Sequence, residues 1–395
     1  EHPFDEAMHR PRETFLELRQ SEQAAALRHV FFAEREVAKV PAIEGVDPRP
    51  VEKTAVIGGG TMGAGIAVAM LDAGLNVTMV ERDRESLDRG IANVAKVYDS
   101  AVKKGRMDEA GKDKRMSALA ATTDYGDLGG VDLAIEAVFE DLEVKRAVFA
   151  ELDKVLKDGA VIATNTSYLD PNAIAEAVSR PADVIGLHFF SPANIMKLLE
   201  IVKTAHTAPD VLATGFALSK TLRKVGVQAG VCDGFIGNRI LSAYRAAADR
   251  MVLAGASPYQ VDRAVKAFGW PMGPYEMGDL AGLDIGYATR QRKAATRDPR
   301  DVVPTWADEL YHLGRLGQKS GRGYYIYTEG QRGGQEDPEV LDLVAKARAD
   351  QGVTPRDFSE SFREACRDAA ATITATVAVG APDDESVDLA TPEHV

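Results

Sequence analysis

The stretch from Lys53 to Glu81 constrains the fold of this chain more than any other. K-T-A-V-I is an apolar run of strand length that leads straight into G-G-G-T-M-G, and the helical A-G-I-A-V-A-M-L-D-A-G follows. A second strand-like segment, N-V-T-M-V, ends at Glu81, eighteen residues after Gly63. Gly-x-Gly-x-x-Gly carries little weight by itself. Set between a strand and a helix, with an acid at the end of the next strand, it describes the first turn of a dinucleotide-binding βαβ unit. Gly58 permits the tight turn, and Gly60 lets backbone approach a pyrophosphate where Thr61 and Met62 open the helix. Gly63 allows the helix to pack closely on its strand. Glu81 would accept hydrogen bonds from an adenosine ribose and repel a 2′-phosphate, which favours NAD over NADP; Arg82 and Arg84 soften that preference.

Further alternation follows. V-D-L-A-I-E-A-V (131–138) is a fourth-strand candidate, A-V-I-A-T-N-T-S (160–167) another, and the apolar run from Val184 to Leu187 ends in His188. Strands alternating with helices imply a parallel sheet with right-handed crossovers, in which ligands bind beyond the carboxyl ends of the strands. Glu140, Asn165, Ser167 and His188 fall at that rim. After a break at Ser191-Pro192, a second apolar run carries Glu200 among Leu198, Leu199, Ile201 and Val202. Imidazole takes a proton at neutral pH, and a carboxylate behind it fixes the tautomer and stabilises the imidazolium. A histidine at a strand end also reads as structural, and Ser or Asn there as a turn former. The clustering of four polar groups favours a site. Asn165 is open between supporting that site and satisfying local backbone.

The 395 residues, 45% hydrophobic and 27% charged, have room for two domains, and a net charge of -13 argues against a nucleic-acid partner. Cys232 and Cys366 cannot build a disulfide framework and read as small hydrophobes in a reducing compartment, taken as the cytoplasm. No apolar segment reaches the roughly 20 residues of a membrane span, the acidic start is no signal peptide, and no metal site is read. Residues 1–50 read as a linker with one connector helix, capped by Ser21, running from Glu22 to about Lys39 and lying against a domain through Phe31. The sheet domain is placed at 51–232. Phe235, Ile236, Ile240, Ala243, Ala247 and Met251 then form a helix-spaced stripe that stops at Gly255, with Ser257-Pro258 starting the next helix, so 233–330 reads as helical. Residues 331–395 read as a tail, partly helical or disordered, with Asp337-Pro338 able to start a helix. The fold class is therefore α/β, a Rossmann-type doubly wound sheet followed by an all-α C-terminal domain.

G-G-G-T-M-G-A-G-I-A, A-I-E-A-V-F-E-D-L-E-V-K, N-T-S-Y-L-D, G-L-H-F-F-S-P-A-N-I-M-K-L-L-E and D-G-F-I-G-N-R-I together resemble L-3-hydroxyacyl-CoA dehydrogenase, in the form found within multifunctional fatty-acid β-oxidation enzymes. The resemblance spans roughly Ser21 to Tyr327. It implies NAD-dependent oxidation of an L-3-hydroxyacyl-CoA, with His188 as base, Glu200 as its partner, Ser167 and Asn238 placing the substrate, and Glu140 and Lys145 contacting the cofactor. Ser191 stands where single-function members carry Asn, which agrees with the multifunctional form, while Tyr168 is less usual for the family. Arg315, Lys319 and Arg322 read either as partners for the CoA phosphates or as solvated charge. The resemblance fades after about Asp357, where no second helical repeat is recognisable, and no hydratase activity is expected. The rival readings are a dehydrogenase of a free hydroxy acid and a non-catalytic NAD-binding scaffold. A two-fold homodimer through about 233–330 is expected, unless the tail or the connector helix covers the same apolar stripe.

Overall fold

The computed structural model describes residues 4–356, apart from 299, 329 and 332. The chain divides into two compact units between Ile236 and Gly237.

In the first unit the described residues form an eight-stranded sheet: β1 Lys53–Ile57, β2 Asn76–Val80, β3 Leu119–Thr122, β4 Leu133–Glu136, β5 Val161–Thr164, β6 Val184–Phe189, β7 Leu198–Val202 and β8 Val225–Ala229. Their order is β3-β2-β1-β4-β5-β6-β7-β8. Pairing is parallel except between β6 and β7, which run antiparallel. The wholly parallel sheet expected from sequence is corrected there, because the link from Phe189 to Leu198 is too short for a crossover of a dozen or more residues.

Two helices precede the sheet, α1 Phe4–Gln20 and α2 Glu22–Glu36, and six accompany it: α3 Thr61–Asp72, α4 Arg84–Lys103, α5 Glu109–Met116, α6 Leu142–Val155, α7 Pro171–Ala175 and α8 Pro209–Thr221. Side chains alternate across the pleat, so Val56 joins one core with Ile66, Met79 and Leu187, while Ala55 and Ile57 join another with Phe149, Ile162 and Ile174. The Gly-rich turn has no room for a Cβ at Gly58, Gly59 or Gly63, the Gly59 position lying 2.7 Å from the Gly90 Cα. Gly58 adopts φ 101°, and a Cβ on Gly63 would stand 1.8 Å from the Gly58 carbonyl oxygen.

α2 starts at its Ser21 cap, as the sequence implies, yet it buries no residue. Phe31 and Phe32 remain 49% and 63% exposed, with the Arg35 guanidinium 3.3 Å over the Phe31 ring. The expectation that this helix lies against a domain is thus corrected: Leu27, Val30 and Phe31 form a stripe that stays exposed, with Arg35 of the same helix over the Phe31 ring. The preceding α1 had not been anticipated.

The second unit contains α9 Gly237–Ala254, α10 Pro258–Phe268, α11 Pro274–Ala281, α12 Leu283–Lys293, α13 Thr305–His312 and α14 Pro338–Asp350. Phe235 and Ile236 precede α9 instead of joining its stripe, because Phe235 takes a left-handed φ of 46° that no helix accommodates. Ser257 and Gln260 close a capping box at the start of α10. Val340, Val344 and Ala347 of α14 pack with Val252, Trp306 and Leu310, so this core extends past residue 330. The sequence from Asp357 onward, including Cys366 and A-T-I-T-A-T-V-A-V, lies outside the described residues.

Two carboxylates without solvent exposure tie this unit together. Asp262 accepts from the Tyr275 and Glu276 amides and the Tyr325 hydroxyl; Asp279 accepts from the Tyr324 and Tyr325 amides and the Tyr327 hydroxyl. Asp279→Ala leaves three donors without their acceptor and should destabilise the second unit by about 3 kcal/mol or more in denaturant unfolding. Unchanged stability would remove Asp279 from this role.

Candidate active site

Strand order reverses at β1, with β2 and β4 on its two sides, and this opens a crevice at the carboxyl ends of β1 and β4. Gly58 marks it: a Cβ there would meet the Ala137 carbonyl oxygen, just beyond β4, at 2.8 Å. Gly60 is the N-cap of α3 with no side-chain cap, and a Cβ on it would meet nothing within 4 Å. Thr61, Met62 and Gly63 form the first turn. Uncapped helix N–H groups beside open space suit a pyrophosphate. Glu81, at the end of β2, accepts from the Gly59 amide at 2.7 Å, which places a carboxylate beside the turn. Arg82 and Arg84 pair with Asp83 and Asp88. These residues fit NAD.

His188 and Glu200 are direct partners in the antiparallel register of β6 and β7, so their side chains leave the sheet on one face. His188 Nδ1–H donates to Glu200 Oε2 at 2.6 Å, and both side chains are buried. This leaves Nε2 as the acceptor, 3.2 Å from the Ser167 hydroxyl. The other Glu200 oxygen accepts from the Ile236 amide at 3.0 Å. Phe235, whose left-handed backbone delivers that amide, also packs its ring 5.6 Å from the imidazole, and Phe190 lies on it at 4.6 Å. Neither aromatic reads as part of the site in sequence: Phe235 reads as the start of a helical apolar stripe, and Phe190 as an ordinary core residue. Cys232, half-buried, donates to the Phe235 carbonyl at 3.4 Å.

Glu140 caps the turn after β5. It accepts from the Thr166 hydroxyl at 2.6 Å and from the Ser167 and Tyr168 amides at 2.8 and 3.1 Å. Burial alone raises its pKa, but the Lys145 ammonium and these three donors outweigh that, and the carboxyl sits below its ordinary value. The Glu140 side chain keeps 37% exposure, whereas Lys145 keeps 1%, its Nζ lying 2.6 Å from Glu136 and 3.3 Å from Glu140. Asn165 spends its carbonyl oxygen on the Phe189 amide at 2.8 Å, satisfying backbone between β5 and β6.

The structure thus gathers His188, Glu200, Ser167, Glu140, Lys145 and Asn165 within the first unit; Asn238 lies in the first turn of α9, in the second. The reading of Arg315, Lys319 and Arg322 as CoA ligands is corrected. Arg315 and Arg322 both bind Asp337 and Glu339, and Lys319 binds Asp284. Among the described residues no group of three or more His, Cys, Asp or Glu is placed to hold a metal ion, and no helix is long and apolar enough to cross a membrane.

Comparison with known proteins agrees with this geometry. Residues 53–232 match the NAD binding domain of 3-hydroxyacyl-CoA dehydrogenase, and residues 234–327 match its C-terminal domain. The human peroxisomal bifunctional enzyme is 38% identical over 380 residues, covering 91% of this chain and 52% of that protein. The chain spans about half the length of the curated relatives it matches. Among solved structures, Mycobacterium tuberculosis FadB2 superposes with a TM-score of 0.68 at 37% identity, over 71% of this chain and all of that one. The 3-hydroxybutyryl-CoA dehydrogenase of Escherichia coli gives 0.67 at 36% identity, over 72% of this chain and 61% of that one. The matches to both domain models, over residues 53–232 and 234–327, mean that the chain belongs to the 3-hydroxyacyl-CoA dehydrogenase family.

Proposed function

We propose that this chain oxidises L-3-hydroxyacyl-CoA thioesters to 3-ketoacyl-CoA in fatty-acid β-oxidation, with NAD as cofactor. The observation that carries the reading is the His188–Glu200 contact, with Nδ1 2.6 Å from Glu200 Oε2 and Nε2 3.2 Å from the Ser167 hydroxyl. Oxidising a secondary alcohol removes a hydroxyl proton and a carbon-bound hydride together. The hydride goes to the nicotinamide ring, which supplies that chemistry when bound. His188 Nε2 takes the proton, and Glu200 offsets the charge that develops on the ring; a general base of this kind contributes roughly 10²–10⁴-fold. The Ser167 hydroxyl is assigned to the substrate oxygen. Glu140 is assigned to the cofactor side, and Lys145, which has almost no exposed surface, acts from behind it.

His188→Ala should lower kcat for acetoacetyl-CoA reduction by NADH by roughly 10²–10⁴-fold while NADH still binds. Turnover at the wild-type rate would overturn the role of His188. The same assay separates the rival readings. A free 3-hydroxy acid oxidised as fast as its CoA thioester would point to a hydroxy-acid dehydrogenase, and NADH binding without turnover by wild-type protein would point to a scaffold.

The Glu81 carboxylate, fixed beside the Gly-rich turn, should make kcat/KM with NADPH lower than with NADH by about 10²-fold, since a 2′-phosphate would face like charge at short range. Equal efficiency with NADPH would show that Arg82 or Arg84 leaves its partner to receive the phosphate.

Assembly is proposed as a two-fold homodimer through the second unit, where Ile240, Phe268, Leu280 and Ile285 are exposed. Sedimentation equilibrium at micromolar concentration should return twice the 42.5 kDa chain mass. A monomer mass would rule the dimer out. The compartment is proposed to be the cytoplasm. Localisation of the protein to peroxisomes, the organelle in several relatives' names, would correct that.

A further inference from the structure

The end of β4 carries a carboxylate that the mechanism above does not use. Glu136 has no solvent exposure, and both its oxygens are occupied: Oε1 accepts from Lys145 Nζ at 2.6 Å and from the Val138 amide at 2.8 Å, and Oε2 accepts from the Thr164 hydroxyl at 2.8 Å. Lys145 rises from the first turn of α6 and is buried between this carboxylate and that of Glu140, whose Oε2 lies 3.3 Å away. The Glu140 Oε1 holds the Thr166–Tyr168 turn, and the Ser167 hydroxyl of that turn meets His188 Nε2. Four side chains therefore connect a strand end in the core to the base.

The distances say how the ammonium is shared. Lys145 is closer to Glu136 by 0.7 Å, the difference of 3.3 and 2.6 Å, so its main bond is to the deeper carboxylate. A desolvated ammonium deprived of that partner must satisfy itself elsewhere, and the one other anion it touches is Glu140. Drawing the Glu140 carboxylate towards Lys145 takes it from the amides of Ser167 and Tyr168. The Ser167 hydroxyl then loses its fixed direction towards His188.

We propose that Glu136 is a positioning residue for the reaction: by holding Lys145 it leaves Glu140 to clamp the Thr166–Tyr168 turn, and so keeps Ser167 aimed at His188. The proposal rests on the dehydrogenase reading for its kinetic readout but not for its structural one. It differs from a purely stabilising role of a buried ion pair, which would change the melting temperature and leave kcat of the folded protein intact.

The test uses the full chain, assayed with acetoacetyl-CoA and NADH at a temperature where each variant is folded. Glu136→Gln should lower kcat by about 10–100-fold, the scale expected from a misdirected catalytic group, with KM for both substrates within about threefold of wild type. Should Glu136→Gln fail to fold, Glu136→Asp, which withdraws the charge by one methylene, should show a smaller loss of the same kind. Wild-type kcat in folded Glu136→Gln would overturn the proposal. If wild-type protein shows no turnover, the proposed function falls. The amide NMR shifts of Ser167 and Tyr168 then decide the clamp: it stands if they move in Glu136→Gln, and falls if they do not.

Discussion

Glu200 is a charged group with no access to water, and the surroundings of the site follow from what that costs. A buried carboxylate is tolerable only when its oxygens are hydrogen-bonded and its charge is met. His188 supplies the first bond through Nδ1 and the Ile236 amide the second. The first requires β7 to run antiparallel to β6, so that residues 188 and 200 face each other in register. The second requires Phe235 to sit in left-handed backbone, which costs a non-glycine residue about 1–3 kcal/mol. The antiparallel pairing and the left-handed Phe235 thus meet at this one carboxylate.

Much of this was legible in the sequence because the relevant signals are local. Gly58, Gly60 and Gly63 have steric reasons that a strand–turn–helix pattern exposes, and the polar residues after apolar runs marked the strand ends that form the rim. His188 and Glu200 could be read as a pair because they end and interrupt neighbouring apolar runs. Glu136 could not. Within A-I-E-A-V it looks like the solvent-facing position of a half-buried strand, and nothing local announces that Lys145 will descend on it from the following helix. The antiparallel turn of β7 was missed for a related reason: alternation of strands and helices fixes strand order well, but direction depends on whether a crossover fits the linker.

The cations near the C-terminal matched region left two readings open in the sequence, CoA phosphates or solvated charge. Arg315, Lys319 and Arg322 occur in a Gly-rich basic run that reads as a phosphate-binding surface, yet their carboxylate partners Asp284, Asp337 and Glu339 lie elsewhere in the chain. Charge along a sequence is no measure of free charge in a fold. Likewise the aromatic side of α2 reads as a covered face, yet Leu27, Val30, Phe31 and Phe32 all stay exposed.

The antiparallel β6–β7 pairing also bears on when the site can form during folding. His188 and Glu200 are 12 residues apart, whereas Glu136 and Thr164, bonded across the parallel β4–β5 pair, are 28 apart. Loop-closure entropy favours the shorter separation by roughly 0.7 kcal/mol, and the longer one must in addition wait for α6 to fold and pack. The base and its carboxylate thus belong to a local hairpin of low contact order. The Glu136 array that aims Ser167 at them depends on non-local pairing. A refolding chain can therefore hold its proton acceptor in register before the groups that direct substrate towards it are in place.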